Sequence, residues 1–266
     1  MERVEMGVRR FGRVNWLGLW TLAEREVRRF LAVWTQTLLA PLITAGLFLA
    51  VFTLAIGPGR GAVMGVPFVQ FLAPGILMMT VIQNAFANTS SSIMAAKVQG
   101  NIVDTLMPPL SPLELVIGYM AGAIGRGMFV AVAVLSLMLV VVGAGVAHPG
   151  WVLVFVVLGA ALMGALGMIA AILAQKFDQM AAITNFIITP LSFLSGTFYS
   201  IEALPPLMQT LTHANPIFYL IDGVRFGMIG TSDSSPWTGL AVVSVTAVAV
   251  LLLAWTWIRR GYRLKS

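Results

Sequence analysis

The stretch Ser192–Arg225, SFLSGTFYSIEALPPLMQTLTHANPIFYLIDGVR, decides the fold of this otherwise apolar chain. An apolar segment reaches Gly196, and the sequence then fills with Thr, Ser, Glu, Pro and Asn residues. Pro205, followed by a second proline, predicts the start of a short helix. Asn215 and Pro216 end that helix and start another, because Asn caps helices and Pro suits the first helical position. The stretch therefore predicts two short helices that follow one long apolar segment.

The second of these helices, about 217–229, carries the charged residues Asp222 and Arg225. At about 1.5 Å per residue it would be about 20 Å long, too short for a hydrocarbon core of about 30 Å. Its two charges are three residues apart and can pair along one face. Backbone that enters a membrane only partway must pack on protein or line water. The helix must therefore either dip into the membrane and return or lie in the interface. We expect residues 200–230 to form an outer re-entrant cap that acts as a gate, with Gly196 as its flexible start.

The composition of the whole chain is that of a membrane protein. Its 266 residues are 59% hydrophobic and 10% charged, and the mean hydropathy is +0.92. Soluble domains carry about 25% charged residues, so we predict an integral membrane protein. The absence of cysteine excludes disulfides, thiol catalysis and cysteine-based metal sites. The net charge of +6 sits mainly at the chain ends, which fits membrane orientation and not nucleic-acid binding.

Six segments are long enough to cross a bilayer, and the loops between them leave no room for a soluble domain. They are 31–56, 67–95, 112–142, 150–173, 179–199 and 237–258. With the N-terminus inside, only Arg60 and Arg225 of the 16 Lys and Arg residues lie outside, and Arg126 lies within a span. This bias predicts that both termini are cytoplasmic. The expected fold is an all-α polytopic membrane protein with one transmembrane domain over residues 1–266.

Residues 14–31 precede the first span and are predicted to form an amphipathic helix in the cytoplasmic interface. The apolar face is expected to hold Trp16, Leu19, Trp20, Ala23, Val27 and Phe30. The polar face is expected to hold Thr21, Glu24, Arg25, Arg28 and Arg29. Two roles stay open at this point: an anchor on the lipid surface, or an anchor whose charged face also contacts a cytoplasmic partner.

Residues 97–111 are predicted to form a short cytoplasmic elbow between the second and third spans. Asn101 can cap a helix of about two turns that carries Asp104 and ends at a Pro-Pro pair. Ser111 and Glu114 then form a capping box that starts the third span. The apolar residues of the small helix are Ile102, Val103, Leu106 and Met107. An apolar knob on a stiff elbow favours docking into another protein, and the alternative is a helix that rests on lipid.

Polar residues within the spans admit two interpretations. An unpaired Arg126 in the third span would cost at least about 2.5–3.5 kcal/mol. In the second span Asn84, Asn88 and Ser92 recur every four residues and share one helix face. Both patterns fit either helix packing or a translocation path. Two small-residue pairs predict close helix contacts: Gly118 with Gly122, and Ala160 with Gly164.

The sequence shows no recognisable catalytic set and no metal-binding cluster, since His148 and His213 have no partner ligands nearby in sequence. It also contains no G-x-x-x-x-G-K-[ST] segment, the loop that cradles ATP phosphates. We therefore predict that the chain is not an enzyme and binds no cofactor or metal of its own.

Several motifs resemble those of the ABC-2 type permeases, the membrane subunits of bacterial ABC exporters. The outer-side motifs are PLSFLSGTFYS, LPP and NPIFYLIDGVRFG, and the cytoplasmic one is NIVDTLMPPLSP. The resemblance extends from about residue 16 to the C-terminus. It departs from the family pattern at Asp104, where glutamate is usual, so the charge is kept on a shorter side chain.

The resemblance implies an inner-membrane permease that works as a dimer, expected to be a homodimer, with separate ATPase subunits that bind ATP and Mg²⁺. The helix at 14–31 would be the family's connecting helix, and the elbow its coupling helix. The coupling helix would contact the ATPase through Asn101, Asp104, Leu106 and Met107. An ion-coupled secondary transporter is the alternative, but that class usually needs carboxylates within spans. A membrane enzyme acting on lipids is a third class, and the sequence does not identify a substrate.

Overall fold

The structure, a computed structural model, describes residues 12–56, 59 and 61–263. These residues form helices joined by short loops, with one isolated bridge between Val63 and Val66. The α-helices are α1 (Trp16–Ala32), α2 (Trp34–Val51), α3 (Phe68–Val98), α4 (Ile102–Leu106), α5 (Pro112–Val142), α6 (Pro149–Leu173), α7 (Phe177–Ile183), α8 (Thr189–Leu194), α9 (Pro206–His213), α10 (Pro216–Ile229) and α11 (Pro236–Arg259). The all-α prediction is confirmed for the described residues.

Within this described part, five helices are long and apolar enough to cross a membrane. They are Trp34–Ala55, Phe68–Val98, Pro112–Val142, Pro149–Leu173 and Pro236–Arg259. Each coincides with one of the six predicted spans. The remaining predicted span, 179–199, consists of α7, a π-helical turn at Thr184–Ile188 and α8. The helix starts at Phe177 and continues with polar Asp178 and Gln179, so its apolar run is short. Its crossing of the membrane stays a prediction.

Helix α3 forms the centre of the bundle and packs against α5, α6 and α10. Residues 71–82 of α3 are all buried. Helices α5 and α6 approach closely, because a Cβ on Gly127 would lie 2.8 Å from Ala160 Cβ, and one on Gly164 would lie 2.6 Å from Ala123 Cβ. The pair Ala160/Gly164 is therefore a packing face, as predicted. Helices α2 and α11 lie at the periphery, since only 17% and 22% of their most apolar 18-residue windows are buried.

Helix α1 packs on α5, and its position in the cytoplasmic interface stays a prediction. Its buried residues Leu22, Glu26 and Phe30 recur every four positions. A Cβ on Gly118 would lie 2.5 Å from Leu22, and one on Gly122 would lie 2.6 Å from Glu26, so these two glycines form the second predicted packing face. The predicted apolar face lies partly away from the bundle, and its contact with lipid stays a prediction. Its tryptophans point outward and stay exposed, whereas acidic Glu26 faces the bundle.

The two short helices predicted in the 200–230 cap are present as α9 and α10. Pro205 and Pro206 begin α9, and Asn215 caps α10 by accepting a hydrogen bond from the backbone N–H of Ile217 at 3.0 Å. Residues 217–225 of α10 are all buried against α3, α6 and α11. Helix α9 exposes most of its residues. The pair thus consists of one helix that is buried in the bundle and one helix that lies on its surface.

Candidate functional sites at the two ends of the bundle

The predicted pair of Asp222 and Arg225 is present and buried at the end of the bundle that holds α9 and α10, here called the cap end. Arg225 has no exposed surface, and its Nη1 donates to Asp222 Oδ1 at 3.4 Å and to Asp233 Oδ2 at 3.1 Å. Its Nη2 donates to the backbone oxygen of Gly196 at 2.5 Å. The guanidinium also lies 4.4 Å from the ring centroid of Phe71. The shorter ion pair is with Asp233, which the sequence analysis did not identify.

Asp222 is bound mainly by the turn that leads from α10 to α11. Its carboxylate accepts hydrogen bonds from the backbone N–H groups of Asp233 and Ser234, both at 2.8 Å, and from Ser234 Oγ at 2.7 Å. Asp233 in turn accepts a hydrogen bond from the Ser200 hydroxyl. We call Asp222, Arg225, Asp233 and Ser234 the cap cluster. It contains two carboxylates and one guanidinium in a buried position, so its arrangement fixes three chain segments together.

The loop after α8 is the third of these segments. Gly196 has φ of +80°, a left-handed conformation that favours glycine, and this turns its carbonyl toward Arg225. Asn215 Nδ2 donates to Ser195 Oγ at 2.8 Å, which ties the loop to the start of α10. Gly75 of α3 lies against the same loop, since a Cβ there would lie 2.4 Å from the Thr197 carbonyl oxygen. The predicted residues Gly196, Asn215, Asp222 and Arg225 are thus brought together, while Pro205 and Pro216 only start helices.

A second feature of the cap end is a group of phenylalanine rings, which sequence periodicity did not reveal. Phe52 and Phe198 stack with ring centroids 4.8 Å apart, and Phe193 stacks on Phe198 at 5.6 Å. Phe52 also meets Phe68, which stacks on Phe71 beneath Arg225. These contacts connect the peripheral helices α2 and α8 to the cap cluster.

The polar stripe predicted on α3 also exists, and it meets charged partners on α1 and α5. Asn84 Oδ1 accepts hydrogen bonds from Arg126 Nε at 3.2 Å and Nη2 at 3.0 Å. Asn88 Oδ1 accepts one from Arg29 Nη2 at 3.1 Å. We call the whole set the polar seam: Glu26, Arg29, Asn84, Asn88, Ser92 and Arg126.

Glu26, on α1, is the centre of one part of this seam. It is fully buried, accepts a hydrogen bond from Ser92 Oγ at 2.8 Å, and lies 3.1 Å from Arg25 Nη2 and 3.4 Å from Arg29 Nη2. Asn88 Nδ2, by contrast, is buried without a hydrogen-bond partner in the structure. The seam therefore holds α1, α3 and α5 together, and this favours packing for Asn88. Asn84 and Arg126 are only half-buried, so both interpretations remain for them.

The elbow lies at the end of the bundle opposite the cap end, here called the elbow end. Its exposed knob differs from the predicted one. Ile102 is buried and Leu106 is half-buried against the core, so neither protrudes. Val103, Asp104 and Met107 are exposed, Met107 by 76%, because positions three and four apart share a face. These three residues are called the elbow knob.

The predicted cap of the elbow helix is only partly correct. Asn101 occupies the position before α4, but its side chain makes no capping bond and donates to Gln99 Oε1 at 3.3 Å. The α-helix covers Ile102–Leu106, which is shorter than the two turns expected.

Glu114 gives the elbow a rigid support. The predicted capping box with Ser111 is present, and Glu114 Oε2 accepts from the Ser111 backbone N–H at 2.6 Å. Its Oε1 accepts from the backbone N–H of Asn15, at the start of α1, at 2.8 Å. Arg25 Nη1 donates to Thr105 Oγ1 at 3.1 Å and adds a second connection. The elbow, the start of α1 and the start of α5 are therefore fixed to one another.

Among the described residues, no group of three or more His, Cys, Asp or Glu side chains is placed to hold a metal ion. The two carboxylates of the cap cluster lie close together, but they are already bound to Arg225 and to backbone donors.

A bundle of long apolar helices, with an exposed elbow at one end and a buried helix at the other, is typical of a multi-pass membrane protein. The model of the ABC-2 type transporter family matches residues 18–229, so the chain belongs to this family. It is 38% identical to the inner membrane transport permease YadH of Escherichia coli strain K12 over 251 residues, 94% of this chain and 98% of that protein. It is 27% identical to nodulation protein J of Neorhizobium galegae over 240 residues, 86% of this chain and 87% of that protein. The resemblance predicted from the sequence motifs is confirmed, and the chain is a multi-pass membrane transport protein.

Proposed function

We propose that this chain is the permease subunit of an ABC exporter in a bacterial inner membrane. Two copies would form the translocation path, and a separate ATPase subunit would bind ATP and Mg²⁺ and drive transport. The observation that carries this proposal is the elbow knob of Val103, Asp104 and Met107, which projects from a rigid support. The full sequence has no Walker-type phosphate loop of its own, which fits a division of labour between two polypeptides.

The elbow knob has the composition expected of a docking surface. Its two apolar side chains flank one carboxylate, and the elbow below it is fixed through Glu114 to α1 and α5. A rigid projection loses little conformational entropy on binding, which favours affinity. Asn101 and Leu106, named with Asp104 and Met107 as coupling residues, would act from the base of the knob.

The proposed orientation places the elbow end and both termini in the cytoplasm. It rests on the charge distribution, since the arginines of α1 and those that follow α11 lie on the same side as the elbow in this topology. The cap cluster would then face the outside and act as an outer gate. Asn84, Asn88 and Arg126 are the proposed contributors to the path between the two ends.

The ion-coupled alternative has less support. None of the ten Asp and Glu residues lies in the middle of one of the five long helices. Buried carboxylates in the described part sit at the two bundle ends, where Glu26, Glu114 and Asp222 bind neighbouring segments. A proton or cation relay would need such groups along the path.

The test is co-purification with a candidate ABC ATPase subunit expressed together with this permease, followed by measurement of ATP hydrolysis. The double variant Val103→Ala/Met107→Ala removes the apolar part of the knob, and burial of each side chain contributes about 1.5–3 kcal/mol. Docking should weaken at least about tenfold. The matched control is Leu207→Ala/Met208→Ala, an exposed apolar pair on α9 at the cap end. Undiminished ATPase recovery with the knob variant, or ATP hydrolysis by the pure permease alone, would refute the proposal.

A further inference from the structure

An apolar groove runs along the outside of the bundle between α5 and α11. Its lining includes Leu113, Ala121 and Ile124 on α5, Ala161 on α6, and Val248 and Trp255 on α11. The volume of the groove is about 570 Å³. Two alanines, Ala121 on α5 and Ala161 on α6, lie where larger side chains would fill the groove. The small size of these two lining residues therefore leaves space in the groove.

The length and position of the groove match one leaflet. On α5 it extends from Leu113, the second residue of the helix, to Ile124, which is about 16 Å at the helical rise. Half of a hydrocarbon core of about 30 Å is about 15 Å. The groove thus lies in the half of the bundle at the elbow end and is about as long as the hydrocarbon of one leaflet. Its lining is apolar throughout, so its occupant is an acyl chain or an apolar side chain and not a polar solute.

Three arginines stand at the elbow end of the groove. Trp255 closes that end, and the guanidinium of Arg259, one turn further along α11, lies 5.3 Å from the Trp255 ring centroid. Arg260 and Arg263 follow and are exposed. Within the part of the chain that the structure describes, none of the three forms a salt bridge. They are therefore available to a phosphate at the level of the lipid headgroups.

We propose that this groove binds an acidic phospholipid of the elbow-end leaflet. One acyl chain fills the space between α5 and α11, and the phosphate binds Arg259 and Arg260. A second copy of the chain fits less well. Membrane protomers of equal orientation that met at this groove would bring their arginine clusters to the same depth, where like charges repel. The inference does not depend on the proposed coupling to an ATPase.

The experiment uses full-length protein in detergent, stripped of lipid and titrated with phosphatidylglycerol or phosphatidylcholine. Native mass spectrometry counts bound lipids, and thermal unfolding measures stabilisation. We expect phosphatidylglycerol to bind at least about tenfold more tightly, a difference of about 1.4 kcal/mol. Arg259→Gln/Arg260→Gln should abolish this preference and keep the fold. The charge control is Arg28→Gln on α1, whose side chain is exposed and lies away from the groove.

A second variant tests the groove itself. Ala121→Phe fills the base and should reduce retention of both lipids, whereas Val140→Phe, at an exposed α5 position outside the groove, should not. Equal affinity of the wild type for the two lipids would overturn the inference. So would full stabilisation by inorganic phosphate alone, or an Ala121→Phe variant that converts a dimer to monomers and leaves lipid binding intact.

Discussion

The cap cluster and the Glu26 site each bury one charged group between helices, but they neutralise it in opposite ways. At the cap end, buried Arg225 faces two carboxylates that are themselves almost fully buried. At the elbow end, buried Glu26 faces Arg25 and Arg29, whose side chains are 47% and 34% exposed. Water can therefore solvate the partners of Glu26 but not those of Arg225. Loss of one charged member should therefore destabilise the cap cluster strongly, whereas water can compensate part of such a loss around Glu26.

The largest expected effect is at the cap. Arg225→Ala leaves Asp222 and Asp233 buried without their cation, and removing one partner of a buried pair costs about 3–5 kcal/mol. We expect a large fall in the unfolding temperature of the purified protein. Arg225→Ala/Asp233→Ala should recover part of this loss, because the second change removes the carboxylate at 3.1 Å. Coupling within error of zero in this cycle, with normal transport, would make the cap cluster a passive feature.

Asp222 should behave differently from Asp233 in the same cycle. Its carboxylate accepts three hydrogen bonds from Asp233 and Ser234, and each stranded donor costs about 1–3 kcal/mol. Asp222→Ala should therefore destabilise the protein even when Arg225 is already alanine. Thermal unfolding of the single and double variants measures this. If Arg225→Ala fully compensated Asp222→Ala, the direct ion pair and not the turn would be the main role of Asp222.

A smaller effect is expected at Glu26. Glu26→Gln keeps an acceptor for Ser92 and leaves two arginines that are partly hydrated, so we expect a loss of about 1–2 kcal/mol. The matched control is Glu24→Gln, whose exposed pair with Arg28 is worth about 0–1 kcal/mol. If Glu26→Gln were as damaging as Arg225→Ala, solvent access would not explain the difference between the two ends.

Arg126 and Asn84 should separate packing from transport. The hydrogen bonds between them predict a coupling of about 0.5–1.5 kcal/mol in a cycle of Arg126→Gln and Asn84→Ala. A packing role predicts that transport falls only as stability falls. Reduced transport by Arg126→Gln at an unchanged unfolding temperature would instead assign Arg126 to the path.

The smallest perturbation tests orientation. The chain has no cysteine, so Glu202→Cys at the cap end and Met107→Cys at the elbow end give single reactive positions on exposed residues. A membrane-impermeant maleimide should label position 202 in intact spheroplasts and position 107 only after permeabilisation. The reverse pattern would invert the proposed topology.

Much of this fold follows from local sequence signals. The Ser111–Glu114 capping box, the Asn215 cap and the Pro205–Pro206 helix start are set by residues within a few positions of one another. The four-residue spacing of Asn84, Asn88 and Ser92 placed them on one face for the same reason.

The features that the sequence did not predict have two physical causes: contacts that no local pattern encodes, and a helix too short to define a face. Asp233 meets Arg225 only because the turn after α10 folds back, and no periodicity in the sequence encodes that contact. No local pattern marks Glu26 as buried, because its hydrogen-bond partner Ser92 lies more than sixty residues away in sequence. The sequence did not show that Leu106 lies off the exposed knob, because a five-residue helix is too short for its apolar pattern to define a face.

Glu114 bears on how motion could travel through the molecule. Because one carboxylate holds the backbone of Asn15 and of Ser111, the first helix and the elbow are carried by α5 as a single lever. Helix α5 has 31 residues, so its arm is about 46 Å long. A rotation of about 5° at the elbow would displace the far tip by about 4 Å, more than a hydrogen-bond length. A small stroke at one surface of the membrane would thus be magnified at the other.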